Sequence, residues 1–378
     1  MHKELFVVST HYQMIMAIQI CSAHRRKYKD YYANILLFDY ARSVRIIAER
    51  LSETSIFDKV TYREINPYKG KSLVRYVSRV MQCIYDVSLH NANNSCLCKE
   101  FDLVNESYDE VFFYSITNFL MYSVFDYFQQ FENVKFNRFE EGIFSYNNVQ
   151  TKENVVFLWR AIQFLRKKGL IRRKNILDKV VDYYCLIPEL YKNDNGYSIH
   201  KIPQIDLYNR SEIDKLNYVF GVDKVNEEYS PEIIYLASSI DLGDGGNKKI
   251  HEEEIVKRLI KKYGSENIFV KKHPRDNRKI FENLGVKTNA ESNAPWEVIQ
   301  ANLGLERKKF FTVASGSVIG ASVLMGVDIQ GYLLFPMVKG INKTFDKYCN
   351  DSVQSIIDRF HELGMFEGIK VLNSLDEV

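Results

Sequence analysis

The sequence predicts an α/β protein made of two doubly wound domains, each a parallel sheet covered by helices, and three observations lead to this. Short apolar runs alternate with segments of helical period along most of the chain, which is the pattern of βα units. With 378 residues, 46% of them hydrophobic, the chain can fill two cores of ordinary size. A polar stretch from Asn193 to Glu228 interrupts the alternation. It divides the chain into residues 1–200, a connection over 201–229, and residues 230–378.

In the first half, Leu5–Val8 is a four-residue apolar run, and Tyr12, Ile15, Met16, Ile18 and Ile20 follow it at helical spacing. The turn between them holds Ser9, Thr10, His11 and Gln13 without a glycine, so it is not a dinucleotide fingerprint. These small polar groups either face a ligand at the helix start or simply cap the helix. A strand over Asn34–Phe38, a helix over Ser43–Leu51 and a short strand over Lys59–Glu64 come next. Apolar spacing predicts a helix over Ser72–Leu89, and the polar stretch His90–Leu103 reads as a loop. Asp109–Tyr114 is a strand, Asn118–Phe131 an apolar helix, and Val134–Phe139 a strand that runs into Glu140-Glu141-Gly142. Adjacent carboxylates followed by a glycine can orient sugar hydroxyls or act as a base; the alternative is a charged turn. A helix over Asn154–Leu165 leads into the cationic run Arg166–Lys174, which is either a contact for anionic lipid or a solvated helix end.

The second half opens with the strand Glu232–Ala237 and a loop of small residues, Ser238–Gly246, carrying Asp241 and Asp244. Helix Glu252–Tyr263 joins it to a strand over Ile268–Val270, which ends in Lys271, Lys272, His273, Pro274 and Arg275. Pro274 has no N–H to donate and stops the ladder, so His273 sits where strand becomes loop. In open α/β sheets that carboxyl edge is where ligands bind. A histidine among cations can protonate an anionic leaving group while the cations hold its charge; the alternative is a plain surface turn. A parallel crossover would bring Asp241, at the mouth of one strand, near His273, at the mouth of the next. Asn293–Glu297 reads as a helix start, with Glu297 placed to accept ribose hydroxyls or to favour the helix dipole. Lys308–Ala314 is a strand, and Ser315, Gly316 and Ser317 turn it into a helix over Val318–Leu324. Hydroxyls and free N–H groups at a helix start cradle phosphate, or cap the helix. A later strand within Gly326–Phe335 and a helix over Val353–Leu363 end the fold.

Composition narrows the function. The 51 Lys and Arg nearly cancel the 48 Asp and Glu, leaving +3, which argues against a general nucleic-acid binder. The six cysteines are scattered, as reduced thiols of a cytoplasmic protein are, and the close pair Cys96 and Cys98 lacks a partner pair at zinc spacing. No apolar run reaches the roughly 18 residues that span a bilayer. The protein is expected to be cytoplasmic, in solution or peripheral at the inner membrane face.

The order Glu-Glu-Gly, Asp241, His-Pro, Ser-Gly-Ser, with the opening Leu5–Gln13, resembles the bacterial sialyltransferases of glycosyltransferase family 52, which includes lipooligosaccharide and capsule enzymes. The resemblance touches both halves of the chain. It implies the GT-B fold, two Rossmann-like domains facing a central cleft with the last helix packing back across it, and metal-independent inverting transfer of sialic acid from CMP-sialic acid to a galactoside, in α-2,3 linkage. His273 would then handle the departing CMP phosphate and Asp241, with Asp244 as its rival, would be the base. Lys272, Pro274, Glu297, Ser315, Gly316 and Ser317 would bind CMP. Ser9, Thr10, Gln13, Glu140, Glu141 and Gly142 would lie on the acceptor side. No cofactor is expected beyond the donor substrate, and the family allows a homodimer. The other readings are a polysialyltransferase, a GT-B enzyme using another nucleotide sugar, and a noncatalytic glycan or membrane-surface binder.

Overall fold

The computed structural model describes residues 1–39, 43–64, 106–114, 119–147, 164, 167–169, 179–192, 196–222, 229–238, 252–273, 276, 279–289, 294–340 and 343–378. The helix expected over 72–89, the loop over 90–103 with Cys96 and Cys98, most of 154–174, Asp241, Asp244 and Pro274 lie outside these residues. The chain forms two compact units, one of Met1–Glu141 with Asn148–Pro203, the other of Gly142–Asn147 with Gln204–Val378.

The first unit is built on a seven-stranded sheet: β1 (His2–Val8), β2 (Tyr31–Phe38), β3 (Lys59–Arg63), β4 (Glu110–Phe113), β5 (Lys135–Phe139), β6 (Val180–Cys185) and β7 (Ser198–Lys201). Their order is β3-β2-β1-β4-β5-β6-β7, and every pair is parallel. Parallel strands are covered on both faces, which is why Leu5–Val8 of β1, Ile35–Phe38 of β2 and Val111–Phe113 of β4 read as continuous apolar runs. Helices α1 (His11–Lys27), α2 (Val44–Ser52) and α3 (Phe119–Gln129) belong to this unit. From Gln13 to Cys21 α1 is buried on all sides, as a helix at the centre of such a unit should be.

The second unit carries β8 (Ile233–Leu236), β9 (Ile268–Lys271), β10 (Lys287–Thr288), β11 (Lys309–Thr312), β12 (Gln330–Leu333) and β13 (Ile369–Val371). The order is β10-β9-β8-β11-β12-β13, again all parallel. Its helices are α4 (Arg210–Phe220), α5 (Glu252–Tyr263), α6 (Trp296–Gln300), α7 (Gly316–Met325), α8 (Lys343–Tyr348) and α9 (Ser355–Glu362); a π turn over Cys349–Gln354 joins the last two. The apolar helix α7 lies close against the sheet at Gly331, where a Cβ would stand 2.7 Å from Val318 Cγ1.

Three features differ from the sequence reading. The stretch set aside as the connection, 201–229, contains α4, capped by Asn209 and closed by Gly221, which buries Ile213, Leu216, Val219 and Phe220 along one face. Helix α9 is not the last element of the fold, because β13 adds a strand beside β12 after it. The residues after Glu141 do not all stay with the first unit, since Gly142–Asn147 packs with α7 and α9 in the second.

Candidate active site

In the first unit two segments more than a hundred residues apart meet at the carboxyl end of the sheet. Thr10 caps α1 and accepts from the Gln13 N–H at 3.3 Å. Its hydroxyl donates to Glu141 Oε1 at 2.8 Å, and Gln13 Nε2 donates to the same oxygen at 2.7 Å. The Ser9 N–H and hydroxyl both donate to Gln13 Oε1, at 2.7 and 3.2 Å, and so fix which end of the amide faces Glu141. Glu140 points the other way. It is fully buried, accepts from the Tyr12 hydroxyl at 2.7 Å on Oε1 and from the Leu186 N–H at 3.0 Å on Oε2. Gly142 then turns with φ +81, a left-handed conformation that a side chain would strain. The structure thus gathers Ser9, Thr10, Gln13, Glu140 and Glu141, and separates the acids into an inner anchor and a part-buried carboxyl held by neutral donors.

Burial raises the Glu141 pKa, and the hydrogen bonds from Thr10 and Gln13 only partly offset it. The native carboxyl therefore holds its proton more tightly than the unfolded one. Its contribution to stability is present below the ordinary carboxylate range and is lost as pH rises through the raised native value. Glu141→Gln removes this dependence. Urea unfolding at a series of pH values should show wild type losing stability relative to Glu141→Gln as pH rises through that window; the opposite slope would contradict the assignment.

In the second unit the candidate residues leave three neighbouring strands. Leu236 of β8 pairs with Lys271 of β9, and the Ala237 N–H donates to the Lys271 carbonyl at 3.0 Å, so Ser238 and His273 emerge side by side. On the other flank of β8, the Thr312 hydroxyl donates to the Leu236 carbonyl at 2.8 Å and accepts from the Ser315 N–H at 2.9 Å. Ser315 caps α7, accepting from the Ser317 N–H at 3.4 Å, and Ser315, Gly316 and Ser317 are all part-exposed. The positive end of a ten-residue helix thus stands beside the mouth of β8. The loop carrying Asp241 starts from that mouth. Its first residue, Ser238, donates its N–H to buried Glu252 at 3.0 Å, and the Tyr235 hydroxyl reaches the same oxygen at 2.9 Å.

Other expected donor-side residues have partners of their own. The Lys272 ammonium pairs with Glu282 at 2.7 Å, and its N–H donates to Asn289 Oδ1 at 2.7 Å. The His273 carbonyl accepts from the Asp276 N–H at 2.8 Å and closes the turn. Sequence reasoning gave no role of its own to Lys271 and none to Glu252. Lys271 Nζ lies 5.7 Å from the Trp296 ring centre. Burial lowers its pKa, with Glu297 opposing, while burial raises that of Glu297, opposed by its own backbone N–H and by Lys271. A poorly solvated acid and base that influence one another's charge are suited to gripping a hydroxyl-bearing ligand.

A family model described as alpha-2,8-polysialyltransferase (POLYST) matches residues 4–327, from β1 to beyond α7. The chain belongs to this family. Polysialyltransferase-family membership makes it a glycosyltransferase of the sialyltransferase class, in line with the coarse part of the sequence resemblance. No curated protein matches the chain. Among solved structures it is similar to the GT-B domain of a Photobacterium damselae sialyltransferase, at 14% identity and TM-score 0.54, covering 98% of this chain and 99% of that one. A second sialyltransferase structure from the same organism matches at 13% identity and TM-score 0.51, covering 98% and 81%. MnaA of S. aureus, solved with UDP, matches at 11% and TM-score 0.50, covering 98% and 91%. At these identities the likeness shows the fold, and the fold of this polysialyltransferase-family chain is GT-B, with two Rossmann-like α/β units. Among the described residues no helix is long and apolar enough to cross a membrane.

Proposed function

We propose that the chain is an inverting sialyltransferase that uses CMP-sialic acid and extends a sialic acid terminus. The observation that carries the donor half is the emergence of His273, the start of the Asp241 loop and Ser315 from three adjacent parallel strands, β9, β8 and β11. The CMP phosphate sits at the α7 N-terminus on Ser315, Gly316 and Ser317, with the ribose at Glu297. His273 protonates or stabilises the phosphate as it leaves. Asp241, or its neighbour Asp244, takes the proton from the acceptor hydroxyl on the opposite side of the sugar. Because the transition state is oxocarbenium-like and already carries a carboxylate, the protein handles the leaving phosphate more than it activates an electrophile. Thr10, Gln13 and Glu141 orient acceptor hydroxyls.

The family match supports a sialic acid acceptor, while the sequence resemblance to lipooligosaccharide and capsule enzymes favours a galactoside. CMP release from CMP-sialic acid, measured with lactose and with short α-2,8-linked oligosialic acid, separates them. Stimulation by oligosialic acid alone is the expected result. Stimulation by lactose alone would reassign the acceptor. Absence of release together with no donor-induced rise in Tm would overturn the reading. Phe164, 59% exposed with Lys168 Nζ 5.8 Å from its ring centre, supports a contact with anionic lipid at the inner membrane face near the cationic run.

A further inference from the structure

A buried carboxylate stands at the amino end of the first sheet, just before the apolar run Leu5–Val8 of β1. Glu4 has no exposed surface, and the sheet register sets it directly beside Glu110 of β4. His2 lies two residues earlier on the same face of β1, its ring stacked on Tyr28 at 4.3 Å. His2 Nε2 is 3.0 Å from Glu4 Oε1 and 3.6 Å from Glu110 Oε1. One ligand atom from each of the three residues lies within 4.8 Å of the other two.

We propose that His2, Glu4 and Glu110 bind one divalent transition-metal ion of the zinc class, as a structural tie between β1 and β4. Zinc bonds to imidazole nitrogen and carboxylate oxygen are about 2.0–2.2 Å, so ligand atoms at tetrahedral corners stand about 3.4 Å apart. The observed separations of 3.0 and 3.6 Å bracket that spacing. A histidine in the set favours zinc over calcium or magnesium, which take oxygen ligands. The carboxylates are already oriented from behind. His24 Nδ1 is 2.7 Å from Glu4 Oε1, the Tyr31 hydroxyl donates to Glu4 Oε2, and Asn137 Nδ2 donates to Glu110. Asn137 Oδ1, in a side chain with no exposed surface, has no hydrogen-bond partner among the described residues, a polar atom available to a metal-bound water. The register sets the Glu4 and Glu110 carboxyl groups beside each other with Glu4 fully buried, a like-charge neighbourhood that a cation relieves. The His2 side chain is 20% exposed and that of Glu110 12%, which leaves an entry for the ion and the fourth position for water.

The ion would lie away from the transfer chemistry. Ser9 and Thr10 follow the opposite end of β1, about 20 Å off at roughly 3.3 Å per residue.

The test uses the full chain with any affinity tag placed at the C-terminus and removed, stripped with chelator and titrated with zinc chloride. Wild type should bind one zinc per chain, and zinc at a hundredfold over Kd should raise Tm by about 5–10 °C. Kd should weaken at least tenfold (by roughly 1.4 kcal/mol) in His2→Gln and in Glu110→Gln. Equal binding by all three proteins, or none by wild type, would overturn the proposal. If Glu110→Gln does not fold, His2→Gln, at a part-exposed position, decides.

Discussion

Replacing His273 with alanine is expected to lower the turnover of CMP release from CMP-sialic acid by a factor of about 10²–10⁴. The reason is the position of the side chain. It follows β9 directly, next to the β8 mouth from which the Asp241 loop departs, and on the sheet edge that also carries the α7 N-terminus. On the proposed reading a group at that point would meet the phosphate of a donor bound at Ser315 and Ser317. It acts when the glycosidic bond breaks, so the loss should appear in kcat with little change in donor KM. Ser315→Ala should do the reverse, raising donor KM more than it lowers kcat, because in the proposed site the cap would touch phosphate in the ground state as well. A purely structural His273 would leave kcat within a few fold of wild type and shift Tm instead. That pattern would remove the histidine from the mechanism.

The strands that organise both sheets could be read from sequence wherever both faces are covered. Leu5–Val8, Ile35–Phe38 and Ile268–Val270 are unbroken apolar runs because helices lie on either side of them. Edge strands lack that signature. In β7 all four residues keep some exposure, and β13 has only three residues. In β6, Asp182 interrupts the apolar alternation, and in α4 the four apolar residues are diluted by seven polar or half-exposed ones. The candidate residues were recognisable singly and their grouping was not. Thr10 and Glu141 are 131 positions apart, and only the strand order, which sets β1 and β5 on either side of β4, brings them together. Charge was the most misleading signal. Glu4 and Glu252 look like ordinary surface acids at a strand and a helix start, yet both are fully buried acceptors. Burial of an acid depends on donors supplied from distant segments, which no local pattern encodes.

The same difficulty applies to the acidic pair, and a second large effect follows from it. Glu140→Ala should destabilise the first unit by about 3–5 kcal/mol, enough to remove much of a domain's ordinary margin. Two donors lose their acceptor, the Tyr12 hydroxyl on α1 and the Leu186 N–H just after β6, and each unpaired buried group costs about 1–3 kcal/mol. A small cavity adds to this, since the carboxyl sits where nothing is exposed. Glu140→Gln keeps an acceptor for one donor and should lose only about 1–2 kcal/mol. Urea midpoints of the two variants measure both values. Glu141→Gln should leave the midpoint near wild type at neutral pH and instead raise acceptor KM, because Thr10 and Gln13 can still donate to the amide oxygen while the charge is gone. A Glu140→Ala protein with an unchanged midpoint and lost turnover would reverse the two assignments. The roles are separated by the pleat: consecutive residues face opposite ways, so one acid turns inward to hold α1 and β6 in place, and the next turns toward the β1–α1 turn.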